Sequence, residues 1–241
     1  MITFVGWKWH GNGYRETYTA QHVNIWAAGI KRHYRGPHRI VCVTDDAKDV
    51  ECETFPLWKD CGGLTNPSGK HLPSCFRRLK IFSPLTTAEM GIDDGAKVAS
   101  IDLDVVFPRD LVPIFDREED FVGWKGEGTY NPVVYNGSMF MFRAGRMAKL
   151  WDDFRPESSP QAAVKARYFG SDQGWLSYKL NGSVPGWGTR DGVFSYSRDV
   201  RTTRQGKLPQ MARIVSFNGK MKPWHMKAVD KDPWIKDHWR R

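Results

Sequence analysis

The chain has 241 residues, 40% of them hydrophobic, with a formal net charge of +9, 11 tryptophans and four cysteines. That is enough for one substantial α/β core, and no run of about 18 apolar residues predicts a membrane-spanning helix. Cys42, Cys52, Cys61 and Cys75 form no Cys-x-x-Cys pair, which argues for free thiols over a disulfide framework, or a metal gathered by Cys61, His71 and Cys75.

The positive excess favours an anionic partner, which could be nucleic acid, a membrane surface or a diphosphate substrate, or else is a solvated basic face. The opening residues carry no basic leader or small-residue cleavage site, so a cytoplasmic location is expected.

Residues 1–7 read as a buried strand followed by the loop His10-Gly11-Asn12-Gly13. Val23, Trp26, Ala27, Ile30 and Tyr34 recur at helical spacing, predicting a helix over 17–34 that Gly36-Pro37 ends. The β-branched run 40–44 predicts a second strand stopping at Asp45-Asp46. Strand, helix, strand implies parallel pairing through a right-handed crossover, with ligands beyond the carboxyl ends of the strands.

A short strand is expected within 50–57, a Gly/Pro/Ser-rich connection over 62–74 and a helix over 76–85. The run Val98-Ala99-Ser100-Ile101 predicts a strand leading into Asp102-Leu103-Asp104. Further strands are predicted at 121–124, 139–142 and 213–217. Helices are predicted at 146–154, at 160–169 capped by Ser159, and at 172–180 capped by Ser171. A basic, tryptophan-rich tail follows.

An apolar strand that ends in two aspartates at i and i+2 presents both carboxylates in nearly one direction. Two hard oxygen donors suit Mg²⁺ or Mn²⁺, which can neutralise a departing diphosphate. The same stretch, Asp102 to Val106, also fits loosely the nucleophile motif of haloacid-dehalogenase-type phosphatases. That motif usually opens its domain, and here about a hundred residues precede it.

Several segments, in this order, carry a more specific likeness. They are the first strand with the helix over 17–34, Val43-Thr44-Asp45-Asp46, Phe76-Arg77-Arg78-Leu79-Lys80-Ile81-Phe82 and the strand with Asp102 and Asp104. Tyr135-Asn136-Gly137-Ser138-Met139, Gly170-Ser171-Asp172-Gln173 and Phe217-Asn218-Gly219-Lys220-Met221-Lys222-Pro223-Trp224 complete the set. The chain resembles the glycogenin-type, GT-A-fold nucleotide-sugar glycosyltransferases over most of its length.

The resemblance implies a single GT-A domain over 1–241, with a mixed, mostly parallel central sheet flanked by helices and a Rossmann-like nucleotide-binding half. Residues 1–110 would form the nucleotide-sugar and metal half, 111–215 the acceptor side, and 216–241 a tail closing over the diphosphate. It further implies Mn²⁺ or Mg²⁺ on Asp102 and Asp104, with Asp104 the closer ligand, and a nucleotide-sugar donor, by family habit a UDP-sugar, transferred with retention.

By the same resemblance Lys80 approaches the donor, Asn136 and Asp172 hydrogen-bond its sugar and the reacting region, and Gln173 stands next to the acceptor. Gly137 and Ser138 border the donor, and Asn218, Gly219, Lys220 and Lys222 wrap the diphosphate. Many relatives have a metal-binding histidine where this chain has Ser216, so Ser216, Asn218, His225 or water completes the coordination.

Plainer roles stand beside these. Lys80 could be a solvated helix residue, Asp172 a first-turn acid, Asn136-Gly137 a turn, and Asp45 and Asp46 either ribose or base contacts or a loop end. The acceptor is left open between DNA bearing hydroxymethylated bases and a glycan or lipid-linked saccharide. A catalytically inactive nucleotide- or DNA-binding protein is a further alternative.

Overall fold

A computed structural model describes residues 1–10, 17–67, 75–125 and 134–241. The first strand, β1 (Ile2–Lys8), is buried at every position, as an unalternating apolar run must be when both faces of a sheet are covered. Helix α1 (Ala20–His33) buries Val23, Trp26, Ala27 and Ile30, and its Gly29 lies where an added Cβ would come within 2.7 Å of Phe107. The chain returns as β2 (His38–Thr44), parallel to β1 with Ile2 opposite His38 and Lys8 opposite Thr44. Strand β3 (Glu53–Pro56) extends this edge.

The helix expected over 76–85 is broken in two. A 3-10 turn covers Phe76–Phe82, and α2 (Pro84–Glu89) begins at the proline. Pro84 pushes Ser83 into extended backbone and offers no N–H to continue the preceding helix, so the break is local chemistry. Strand β4 (Lys97–Ile101) then pairs parallel with β1, and the two-residue β5 (Val105–Val106) leaves for a second sheet.

After α3 (Val112–Phe115), β6 (Phe121–Lys125) and β7 (Tyr135–Arg143) form an antiparallel pair, and β7 lies antiparallel to β4. Short helices α4 (Lys149–Asp152) and α5 (Ser159–Lys165) replace the longer ones expected; Gly145 at φ +78° delays the first, and Arg167 at φ +66° follows the end of the second. Helix α6 (Asp172–Leu180) has the predicted bounds and ends at Asn181 in the left-handed region.

Strands β8 (Gly186–Trp187), β9 (Val193–Ser195) and β10 (Ile214–Ser216), with a π-helical turn at Tyr196–Thr202, complete the sheets. The seven-stranded sheet has the order β3-β2-β1-β4-β7-β6-β8, and the three-stranded one β5-β10-β9. The mixed, mostly parallel α/β architecture expected from the sequence is therefore present.

The basic tail is packed, through α7 (Met226–Lys231) and α8 (Trp234–His238). Ile235 and Ala228 are buried with Val106, Phe194 and Phe217, and Trp234 donates from Nε1 to the Gly206 carbonyl at 2.9 Å. The buried Asp232 carboxylate ties α7 to the π turn by accepting from the Tyr196 hydroxyl at 2.5 Å and pairing with Arg201 at 3.3 Å. Among the described residues no helix is long and apolar enough to cross a membrane.

Candidate active site

Asp102-Leu103-Asp104 is the seam between the two sheets. Strand β4 ends at Ile101, and the Asp102 N–H donates to the Ser138 carbonyl of β7 at 2.8 Å. Leu103 anchors the turn in the core beside Trp26. The Asp104 carbonyl accepts from the Phe217 N–H at 2.8 Å, just beyond the Ser216–Val105 pair of β10 and β5. One acid is thus fastened to the large sheet and the other to the small one.

Each acid has its own cation. Arg78, buried in the 3-10 turn, donates from Nη1 to Asp102 Oδ1 at 2.5 Å and from Nε to Asp172 Oδ2 at 2.7 Å. Asp172 also accepts from the Ser171 hydroxyl at 3.1 Å, whose oxygen in turn accepts from the Cys75 N–H at 3.0 Å.

Burial would lower the Arg78 pKa, but Asp172 and Asp102 hold it well above the ordinary value. Burial raises the Asp172 carboxyl, against the opposing pull of Arg78.

Gly137 makes room for this network. A Cβ there would lie 3.0 Å from Arg78 Nη2 and 3.1 and 3.2 Å from the two Asp172 oxygens. Its neighbours complete the rim: Asn136 Oδ1 accepts from the Ser138 N–H at 2.9 Å, and Gln173 Oε1 faces the Gly137 N–H at 3.5 Å. Asp102, Asn136, Gly137, Ser138, Asp172 and Gln173, widely separated in sequence, are therefore brought together.

On the other side, the Lys222 ammonium pairs with Asp104 Oδ2 and donates to the Phe217 carbonyl at 3.1 Å. Burial raises the Asp104 carboxyl, with Lys222 opposing and Asp102 adding to the rise. Asp104 Oδ1 and Ser216 Oγ are buried side-chain oxygens without a hydrogen-bond partner among the described residues. Ser216 pairs across the two strands with Val105, the residue after Asp104, and unsatisfied hard oxygen atoms are the donor chemistry that Mg²⁺ or Mn²⁺ takes.

The oxygen donors of Asp102, Asp104 and Ser216 are therefore of the kind that a hard divalent ion takes. Among the described residues no three His, Cys, Asp or Glu side chains gather as a metal cluster. His225 instead accepts at Nδ1 from the Lys222 N–H at 3.2 Å.

Other candidates lie apart from this cluster. Lys80 pairs with Asp60 at 2.7 Å, and Arg78, two residues earlier, is the cation that reaches the acids. Arg78 carried a usable signal: it stands four residues before the buried Phe82, on the inward side of the turn, where an arginine needs carboxylate partners. Lys80 faces outward.

Asp45 and Asp46 follow β2, as expected, facing the end of β1. Asp45 accepts from the His10 N–H at 3.0 Å, and Asp46 pairs with Lys8 at 3.3 Å. The Lys48 N–H, then Lys8, lowers the Asp46 carboxyl. Asn218 accepts from the Ser195 hydroxyl at 3.0 Å, while Gly219 and Lys220 are exposed in the loop before Lys222. Cys42, Cys52, Cys61 and Cys75 form no disulfide among the described residues. Gly11, Asn12, Gly13 and His71 lie outside the described residues.

A cavity of about 410 Å³ opens at the opposite end of the sheet, where Arg39, Lys97 and Arg143 are already neutralised by Glu53 and Glu118.

No protein-family model and no curated relative matches the sequence. Solved structures do match in fold. The galactosyltransferase LgtC, crystallised with donor and acceptor sugar analogues, is similar at a TM-score of 0.62 and 13% identity, covering 98% of this chain and 94% of LgtC. The glycosyltransferase GlyE of Streptococcus pneumoniae TIGR4 is similar at a TM-score of 0.56 and 14% identity, over 100% of this chain and 60% of GlyE. The bifunctional glycosyltransferase WbbM follows at 0.57 and 15%, over 98% of this chain and 50% of its own. The chain thus has the GT-A fold that these glycosyltransferases share.

Proposed function

We propose that this chain is a metal-assisted glycosyltransferase that moves a sugar from a nucleotide diphosphate donor to an acceptor hydroxyl. The observation that carries the reading is the pair of orphaned oxygens, Asp104 Oδ1 and Ser216 Oγ, at the seam of a fold otherwise used by sugar transferases. When bound, Mg²⁺ or Mn²⁺ would neutralise charge on the departing diphosphate. Asp102, Asp104 and Ser216 would hold it.

Arg78 and Lys222 supply further positive charge on either side of the acids, and Asn136, Asp172 and Gln173 line the sugar and acceptor side. Asp172 is tied to Arg78 and half-neutralised by it, which makes it a poor nucleophile. That supports retention by same-face attack, with the diphosphate oxygen taking the acceptor proton. Product stereochemistry read by NMR tests this step, and an inverted anomer would overturn it.

The proposed donor is a UDP-sugar, as in the glycogenin-type enzymes that the chain resembles. For the acceptor, the +9 charge supports a polyanion such as DNA bearing hydroxymethylated bases. The co-crystallised sugar analogues of LgtC support a saccharide. Steeply salt-dependent binding of duplex DNA separates the two. The dehalogenase-type alternative is not favoured, because Asp102 is pinned by Arg78 and by the Ser138 carbonyl where it would have to attack a phosphate.

The experiment is a panel of UDP-sugars incubated with Mn²⁺ while released UDP is recorded. Release by the wild-type chain and its loss in Asp104→Ala are expected. Failure of every donor, with nucleotide still bound, would instead establish an inactive binding protein.

A further inference from the structure

The two cations at the acid pair are held in different ways. Arg78 is a rigid fork, buried and bonded to both Asp102 and Asp172. Lys222 carries a compact charge on a flexible four-carbon stem, at the end of an exposed loop, Asn218, Gly219 and Lys220, that the buried Phe217 and Pro223 anchor on either side. Among the described residues its ammonium holds only one Asp104 oxygen and the Phe217 carbonyl.

We infer that Lys222 is an internal placeholder for the divalent cation on Asp104: the ion displaces it, and the freed ammonium is then available to the diphosphate. This rests on the reading of Asp104 as a metal-holding residue.

The physical argument runs from burial. The Asp104 side chain is 3% exposed, and a carboxylate so placed needs a positive partner to remain ionised. Lys222 is that partner without metal. A divalent ion arriving at the same carboxylate meets a like charge already in place, so binding of the ion alone is opposed by loss of the Lys222–Asp104 pair.

Once displaced, Lys222 is an unpaired cation tethered beside the site, and a diphosphate restores its partner. Each ligand therefore lowers the cost of the other, and the coupling is reciprocal by linkage. Arg78 cannot serve the same way, since leaving Asp102 would also strain its bonds to Asp172.

The test measures Mn²⁺ binding to the full chain from the EPR signal of the free ion, with and without UDP. Wild type is expected to bind Mn²⁺ weakly alone and at least about fivefold tighter with UDP. Lys222→Met should bind Mn²⁺ alone about tenfold tighter than wild type and lose most of the UDP enhancement. Lys222→Arg, which keeps the charge, should stay near wild type. If Lys222→Met is not folded by circular dichroism, Lys222→Gln carries the same comparison.

The inference is overturned if the neutral variant binds Mn²⁺ no tighter than wild type while Asp104→Asn abolishes binding. Binding that survives Asp104→Asn would overturn the metal reading itself.

Discussion

Asp102 and Asp172, far apart in sequence, share the single guanidinium of Arg78. That bridge welds the end of β4 to the start of α6, so the two acids cannot move independently. Its removal would leave two carboxylates, one of them fully buried, without a counter-charge.

Arg78→Ala is therefore expected to lower stability by about 3–5 kcal/mol, the usual cost of breaking a buried pair from one side. Adding Asp172→Asn should restore part of the loss. Urea unfolding of the single and double variants measures both, and an additive double variant would show that the bridge carries no coupling.

Gly137→Ala sets a methyl against Arg78 and Asp172 at 3.0–3.2 Å, so the bridge has to give way by a few tenths of an ångström. We expect a chain that still folds, with donor turnover reduced about a hundredfold, since small displacements of a catalytic constellation are expensive. Steady-state UDP release gives the number. Unchanged turnover would mean that the exact seat of Arg78 and Asp172 does not matter to the chemistry.

Ser216 offers a separation of stability from metal binding. Its hydroxyl is buried and, among the described residues, unpaired, so Ser216→Ala should leave the thermal midpoint unchanged or raise it. If Oγ is a metal donor, the same change weakens Mn²⁺ binding by about tenfold, as loss of a supporting contact at a metal site does. Calorimetry and thermal melting on one sample decide it. A weaker fold with unchanged Mn²⁺ affinity would contradict the assignment.

The junction of α1 with the C-terminal helix should be acid-sensitive. Burial lowers His33, as do Arg32 and His238, and burial lowers His238, with Arg109, Arg32 and Arg240 adding to it. Folded pKa values below the ordinary 6.5 mean that the unfolded chain takes up protons first as pH falls. The stability these neutral rings contribute is complete above pH 6.5 and is lost as pH drops toward the folded values.

Melting curves between pH 7.5 and 5 should show this slope in the wild type, and a shallower one in His33→Gln and His238→Gln. Equal slopes would place the acid sensitivity elsewhere.

Much of the frame was legible in the chain alone, because periodicity and turn chemistry act over a few residues. The unalternating run of β1, the amphipathic spacing of α1 and the β-branched β2 fix the parallel unit, and the strand ahead of Asp102 marks where acids emerge. The bounds of α6 were likewise readable from Ser171, Asp172 and the apolar positions behind them. The likeness of fold to sugar transferases agrees with that reading.

What only tertiary structure decided is pairing at a distance. Strands of two or three residues, such as β5, β8 and β9, fall below any periodic signal, so the second sheet was invisible, and with it the fact that Asp102 and Asp104 are fastened to different sheets. The choice of Arg78 over Lys80, the grip of Lys222 on Asp104 and the unsatisfied oxygens of Asp104 and Ser216 depend on the register of β10 against β5 and of α6 against β7. Sequence dictates which residues carry charge; the packing of distant elements determines which charges meet and which atoms are left without a partner.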